Sequence, residues 1–119
     1  MIHDTGYPEK TFDVIIMANT FSYSADPNQT ISEMARILKK NGRFIFNATY
    51  DPKNPDYPCD RIPVKKVLGI LKAAGLRAAY HMAFNKTNAK GRPQTTHTLG
   101  VVRSDSESHL LDSLENQLD

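Results

Sequence analysis

The chain has 119 residues, of which 39% are hydrophobic and 24% charged, the composition of an ordinary globular protein. This length allows one domain with its own core and is short for a doubly wound enzyme. The sequence contains no apolar run of about 18 residues and no signal-peptide pattern at its N-terminus, and its single cysteine, Cys59, cannot form an internal disulfide. We therefore expect a cytoplasmic protein that does not associate with membranes.

The net charge of +2 hides an asymmetry along the chain. All 15 Lys and Arg lie at or before Arg103 together with 8 of the 13 acidic residues, whereas residues 104–119 carry five acidic and no basic residues. A basic body can favour an anionic partner, although a solvated surface is the commoner explanation. The basic residues near the predicted closing hairpin lack interleaved aromatics and a recognised motif, so we do not expect a nucleic-acid partner.

A strand and a well-marked helix follow the first eleven residues. Residues 12–19 are a continuous apolar run rich in Ile and Val, which predicts a strand covered on both faces, as in a parallel sheet. Asp26, Pro27 and Gln29 have the spacing of an N-cap, a first helical residue and a capping-box partner. Gly42 is the predicted helix stop.

The helix is predicted to lie between two parallel strands. Its apolar positions recur at helical spacing and should pack on a sheet, while Glu33 should stay exposed. A second apolar strand is predicted over residues 43–49. A strand, a crossover helix and another strand form a βαβ unit, whose strands are parallel.

The second half begins with a proline-rich loop, residues 50–63, which we expect to cover the carboxyl ends of the strands. Its aspartates lie in turn-forming sequence, and the four histidines share no ligand spacing, so no metal site is predicted. Asp60 is the predicted cap of a second helix over residues 62–74, which Gly75 should end.

The last predicted elements are two strands, residues 76–85 and 95–103, that form an antiparallel hairpin around a polar turn. The fold class is therefore α/β, in the order β-α-β-α-β-β with a closing hairpin. We divide the chain into a domain over residues 1–103 and an acidic tail over residues 104–119, either disordered or a short helix.

Two short segments carry a resemblance to a known family. Residues 12–16, FDVII, look like the start of that family's fourth strand, and residues 36–43, RILKKNGR, are similar to its signature before the fifth strand, with Lys40 and Asn41 replacing the usual proline and first glycine. The helix ending in AGL and the hairpin follow the same order. The chain thus resembles the carboxyl-terminal half of the class I S-adenosylmethionine-dependent methyltransferases, which implies a partial Rossmann-like sheet and S-adenosylmethionine as cofactor.

The resemblance also implies where a site would lie. In open parallel sheets, ligands bind beyond the carboxyl ends of the strands, where the residues after the first strand would meet the cofactor. The predicted cofactor contacts are Asp4, Asn19, Thr20 and Phe21. The predicted substrate contacts are Tyr23, Tyr50 and Asp51. Phe21 and Tyr23 could pack on a purine or a sulfonium, or they could cover the core. Methyl transfer needs mainly alignment, so no catalytic residue is assigned.

The family's glycine-rich cofactor loop has no counterpart among these residues, because no two of the six glycines are two positions apart. We therefore expect a truncated or split methyltransferase that binds its cofactor weakly by itself, with an unknown methyl acceptor and with its own activity left open. The alternative is a non-catalytic interaction module or pseudoenzyme subunit. It would pair through an exposed strand, residues 12–18, with a second copy or a complementary amino-terminal chain.

Overall fold

A four-stranded sheet carries two helices on one of its faces in the computed structural model, which describes residues 4–106. The elements are β1 (Phe12–Met17), α1 (Pro27–Ile37), β2 (Leu38–Tyr50), α2 (Val64–Ala73), β3 (Leu76–Thr87) and β4 (Pro93–Arg103), with 3₁₀ turns at Phe21–Tyr23 and Pro58–Arg61. The predicted α/β class and element order are confirmed. The predicted acidic tail lies outside the described residues from residue 107 onwards.

The strand order is β1-β2-β4-β3. β1 pairs with β2 in parallel, and β4 pairs antiparallel with both β2 and β3. The parallel βαβ unit and the closing hairpin are thus both confirmed. None of the helices in residues 4–106 is long and apolar enough to cross a membrane.

Helix α1 begins as predicted and ends earlier than predicted. The Asp26 carboxylate accepts a hydrogen bond from the Gln29 N–H at 3.1 Å, which satisfies one of the free N–H groups of the first turn. The helix ends at Ile37, and β2 follows directly. The prediction that Gly42 stops the helix is wrong, because Gly42 lies inside β2. A Cβ atom there would lie 2.9 Å from the Asp13 carbonyl oxygen, so the close approach of two strands requires glycine.

Helix α2, unlike α1, does not begin as predicted. Asp60 was predicted to cap it, but the N-cap is Pro63, and Asp60 lies buried in the preceding 3₁₀ turn. The end of the helix is as predicted. Gly75 follows it with φ +79°, a left-handed conformation that glycine adopts without a steric penalty.

The core lies between the sheet and the helices. On this covered face, Phe44 and Phe46 of β2 and Leu99 of β4 are at most 1% exposed, and they share one cluster with Ile31 of α1 and Leu71 of α2. Burying large apolar side chains of this kind contributes about 1.5–3 kcal/mol each. The covered face therefore supplies most of the hydrophobic stabilisation.

The opposite side of the sheet, here called the open face, has no helix on it within residues 4–106. Its exposed apolar side chains, between 39% and 69% exposed, are Val14, Ile16, Ile45, Tyr80, Met82 and Phe84. The register Ile16–Ile45–Gly100–Tyr80 runs across all four strands, so these residues form a continuous surface. The expectation that β1 is covered on both faces is wrong for the described part of the chain.

The segment before β1 is fastened to α1 by a buried carboxylate. Glu33 was predicted to be exposed, but it is 8% exposed and accepts hydrogen bonds from the Thr5 N–H and Oγ1 at 2.9 and 2.7 Å. Arg36 Nε donates to it at 2.7 Å. The hydrogen bond from Arg36 outweighs burial and lowers the pKa of Glu33 to about 2. Glu33 is therefore a structural anion that holds this segment in place.

Candidate functional site

Two asparagines join the strands at the carboxyl end of the parallel pair. Asn19 follows β1, and its N–H donates to Asn47 Oδ1 at 2.6 Å, while Asn47 Nδ2 donates to Asn19 Oδ1 at 2.9 Å. Asn19 has φ +54°, a left-handed conformation that asparagine tolerates better than most residues. The reciprocal amide pair thus fixes the turn by which the chain leaves β1.

Polar side chains lie beside this pair. Asn19 is exposed and Thr20 half-buried, so amide and hydroxyl groups face the ends of two parallel strands. This is the position where open parallel sheets bind ligands. Asn19 and Thr20, two of the predicted cofactor contacts, thus lie at this position, and their role in binding S-adenosylmethionine stays a prediction.

Phe21 does not share that surface. It is 1% exposed, and its ring centroid lies 5.4 Å from that of Phe46 in the core. Of the two interpretations that the sequence allowed, the structure favours the one in which Phe21 covers the core. The predicted contact of Phe21 with the cofactor stays a prediction.

Asp4 lies away from the other predicted cofactor contacts. The Lys10 N–H donates to the Arg36 carbonyl at 2.9 Å, which places the segment before β1 against the last turn of α1. Because α1 runs back along β1, this is the amino-terminal end of the strand, opposite Asn19. The pKa of Arg36 is raised mainly by its hydrogen bond to Glu33, and the charge of Asp4 adds to the effect. The structure therefore does not bring Asp4 and Asn19 together, and the role of Asp4 stays a prediction.

A pocket of about 390 Å³ lies between the 3₁₀ turn after β1 and the proline-rich loop. Tyr23 and Tyr57 contact each other there edge to face, with ring centroids 5.0 Å apart and ring planes at 82°. Tyr23 is 66% and Tyr57 37% exposed, so both rings can be reached from solvent. Asp56 and Cys59 also line the pocket. Tyr23, a predicted substrate contact, therefore lies in an open cavity.

Asp51, the second predicted substrate contact, is occupied by the protein itself. It is 1% exposed and accepts hydrogen bonds from Arg92 Nε at 3.1 Å and Gln94 Nε2 at 3.3 Å. Burial alone would raise its pKa, but these hydrogen bonds outweigh that effect and lower it. Asp51 thus anchors the loop to the hairpin and is not free to bind a substrate.

The proline-rich loop is built around a second buried carboxylate. The Asp51 N–H donates to the Asp60 carbonyl at 2.7 Å, and Asn54 Nδ2 donates to the Asp60 carboxylate at 3.1 Å. Burial raises the pKa of Asp60, and the charge of Asp51 raises it further. Tyr50, the third predicted substrate contact, is half-buried and pairs with Thr95 in the sheet. Its role stays a prediction.

The predicted site residues do not include Asn47, Tyr57 and Arg92. Asn47 had a readable signal, because it lies where the apolar run of the second strand ends, as Asn19 does in the first. Tyr57 and Arg92 reach their partners through long-range packing, since Arg92 lies 41 residues from Asp51. No local pattern in the sequence marks such a contact.

Comparison with known proteins finds sequence similarity to methyltransferases. Residues 1–46 match the family model of the methyltransferase domain. A segment of 49 residues is 33% identical to the uncharacterized methyltransferase YcgJ of Bacillus subtilis (strain 168), which corresponds to 41% of this chain and 19% of that protein.

Solved structures extend the similarity over most of the chain. A SAM-dependent methyltransferase from Methanosarcina mazei has a TM-score of 0.68 at 12% identity, covering 87% of this chain and 64% of that one. An arsenic(III) S-adenosylmethionine methyltransferase from Chlamydomonas reinhardtii has a TM-score of 0.66 at 14% identity, covering 87% and 42%. The predicted resemblance is confirmed: the chain has the fold of the carboxyl-terminal part of a class I methyltransferase. It spans less than two thirds of the length of these relatives.

Proposed function

We propose that this chain takes part in methyl transfer from S-adenosylmethionine to an acceptor, as the half of a split methyltransferase that carries the acceptor pocket. The observation that carries the proposal is the Asn19–Asn47 amide pair at the carboxyl ends of two parallel strands, in a methyltransferase fold. When bound, the cofactor supplies a methyl group activated by a sulfonium.

The residues of this chain act mainly by positioning. Asn19 and Thr20 bind polar groups of the cofactor at the strand ends, and the adjacent turn leads directly to Tyr23 in the pocket. Methyl transfer requires that donor and acceptor be held in line, which two sites joined by one short turn achieve. The anchored loop, through Asp51 and Arg92, keeps the pocket wall in place.

The partner in this proposal pairs with β1. In the described part of the chain β1 is an edge strand, and Val14 and Ile16 are 56% and 69% exposed. An apolar edge with unpaired backbone groups favours association with another strand, and Asp13 is the one charged residue in β1. We propose that a complementary amino-terminal chain pairs there and supplies further contacts to the cofactor.

The proposal can be tested by measuring cofactor binding to the 119-residue chain by NMR. Titration with S-adenosylmethionine should shift the side-chain amide signals of Asn19 and Asn47 at millimolar concentration. Asn19→Ala should abolish the response, whereas Asn28→Ala, an exposed asparagine on α1, should leave it unchanged. Absence of any shift at Asn19 and Asn47 would contradict the cofactor site. Micromolar affinity of the chain alone would contradict the split form.

A second candidate, an interaction module without catalysis, is favoured by the same edge strand. In that case β1 pairs with a second copy and the cofactor does not bind. Sedimentation should then show a dimer that Ile16→Lys dissociates, with Leu68→Lys on the surface of α2 as the matched control. A wild-type monomer at high concentration, or a dimer that survives Ile16→Lys, would rule out this self-association.

A further inference from the structure

The two tyrosines of the pocket form a corner. Their rings stand at 82° with centroids 5.0 Å apart, so the face of one ring meets the edge of the other. The face of an aromatic ring carries partial negative charge, and it attracts a cation within about 6 Å. A cation that enters the pocket beside this contact can therefore lie over a ring face that the partner ring leaves open.

Two carboxylates lie near this corner. Asp56 lines the pocket and is exposed, and Asp60 is close enough for its charge to act on Tyr57. The effects on neighbouring groups show the sign of the local field. The pKa of Tyr57 is raised first by its contact with Tyr23 and further by the charges of Asp56 and Asp60. The pKa of Cys59 is raised by burial and also by the charges of Asp60 and Asp26. The contributions of the carboxylates to both shifts have the sign of a negative potential.

This potential is opposite in sign to that of the chain as a whole. The first 103 residues carry 15 basic and 8 acidic residues, yet the charged group that lines the pocket is a carboxylate. A local negative field on a basic body selects against anionic ligands and favours cations.

From this arrangement we propose that the pocket between Tyr23 and Tyr57 binds an ammonium group, and that the methyl acceptor is a small amine. The proposal rests on the proposed function for its reaction and on the pocket alone for its binding. A cavity of about 390 Å³ lies within the usual range for sites that enclose a small molecule.

The chemistry is consistent with such an acceptor. The amine attacks with its nitrogen lone pair, so the N–C bond forms as the S–C bond breaks, and the positive charge passes from sulfur to nitrogen. Any proton that the amine must lose first passes to water at the exposed Asp56. Ring faces and a carboxylate stabilise the charge where it arrives, which favours the transition state.

The test uses choline as the cationic probe and 3,3-dimethylbutan-1-ol as its neutral isostere. Both are titrated into the 119-residue chain without cofactor, following the tyrosine ring signals by NMR. Choline should bind about tenfold more tightly than the neutral alcohol, because a cation over an aromatic face gains attraction that a neutral group of the same shape lacks.

Variants locate the site. Tyr23→Leu should weaken choline binding about tenfold and Asp56→Asn about threefold, whereas Tyr23→Phe, which keeps the ring, should stay within about twofold. Tyr80→Leu is the matched control, since Tyr80 is 48% exposed on the open face and lies outside the pocket. If Tyr23→Leu does not fold, the comparison of the two probes on the wild-type chain decides the question.

Equal affinity for the two probes, or choline binding that Tyr23→Leu leaves unchanged, would overturn the proposal. The proposed function has its own readout in the response of Asn19 to S-adenosylmethionine. Loss of the choline response with the Asn19 response intact rejects the amine acceptor alone. The reverse pattern keeps the ammonium pocket and rejects the methyltransferase function.

Discussion

The two faces of the sheet differ in what covers them, although they share the same strands. On the covered face, Phe46 and Leu99 are at most 1% exposed beneath α1 and α2. On the open face, Phe84 and Ile16 are 51% and 69% exposed, with no helix above them in residues 4–106. Successive side chains of a strand point to opposite faces of the sheet, so side chains of similar hydrophobicity lie either in the core or in contact with solvent.

The difference separates stability from association. Side chains on the covered face are already removed from water, so they contribute to the free energy of unfolding. Side chains on the open face add hydrophobic stabilisation only when a partner buries them. A contiguous exposed apolar surface of this kind is typical of an interaction site. The same comparison implies that substitutions on the two faces have different readouts.

The largest effect is expected from shortening a covered phenylalanine. Phe46→Ala should destabilise the chain by about 3–5 kcal/mol, because it removes a buried ring and leaves a cavity. Phe84→Ala, the same change on the open face, should stay within about 0.5 kcal/mol. Urea unfolding followed by circular dichroism measures both. Equal losses of stability would mean that the open face is buried in solution.

A smaller effect is expected from adding one methyl group on each face of the sheet. Gly42→Ala places a Cβ 2.9 Å from the Asp13 carbonyl oxygen and 2.7 Å from Leu38 Cδ1, so we expect a loss of about 1–3 kcal/mol. In Gly100→Ala the new Cβ lies 3.1 Å from Tyr80 Cβ on the open face. Tyr80 is 48% exposed, so its side chain can move slightly to make room. The cost should be below about 1 kcal/mol. Thermal unfolding distinguishes these outcomes, and a larger loss for Gly100→Ala would reverse the comparison.

The fold was predictable from the sequence wherever local signals agreed. The N-cap at Asp26, the stop at Gly75 and the apolar spacing of α1 each have a short-range cause, and the structure confirms them. Gly42 misled because a glycine after a helical pattern has two explanations, a cap or a close approach of strands. Only the pairing of β1 with β2 distinguishes them, and that contact is distant in sequence.

The site was less predictable, because burial decides which side chains are free. Asn19 and Tyr23 are exposed, as a ligand contact must be, but Phe21 and Asp51 turned out to be buried and occupied. Asp51 could not be recognised as an anchor, since its partner Arg92 comes from the far hairpin. Position after a strand identifies the neighbourhood of a site, whereas three-dimensional packing decides which residues can act.

The smallest expected effect concerns Glu33, which holds the segment before β1 against α1. The folded-state pKa of Glu33 is about 2, below its ordinary value of 4.5, so its pairing with Arg36 stabilises the fold fully above pH 4.5 and is lost as the pH falls towards 2. Because Arg36 is 35% exposed, we expect about 1–2 kcal/mol rather than the full value of the shift. Glu33→Gln should therefore cost stability at pH 7 and little at pH 2.5, measured by urea unfolding at both values.

The control is Asp105→Asn, which removes the more exposed ion pair with Arg103. In this variant the free energy of unfolding should differ between the two pH values by the same amount as in the wild type, within about 0.5 kcal/mol. A Glu33→Gln variant whose loss of stability does not change with pH would show that packing, and not the charge of Glu33, holds the segment before β1 against the helix.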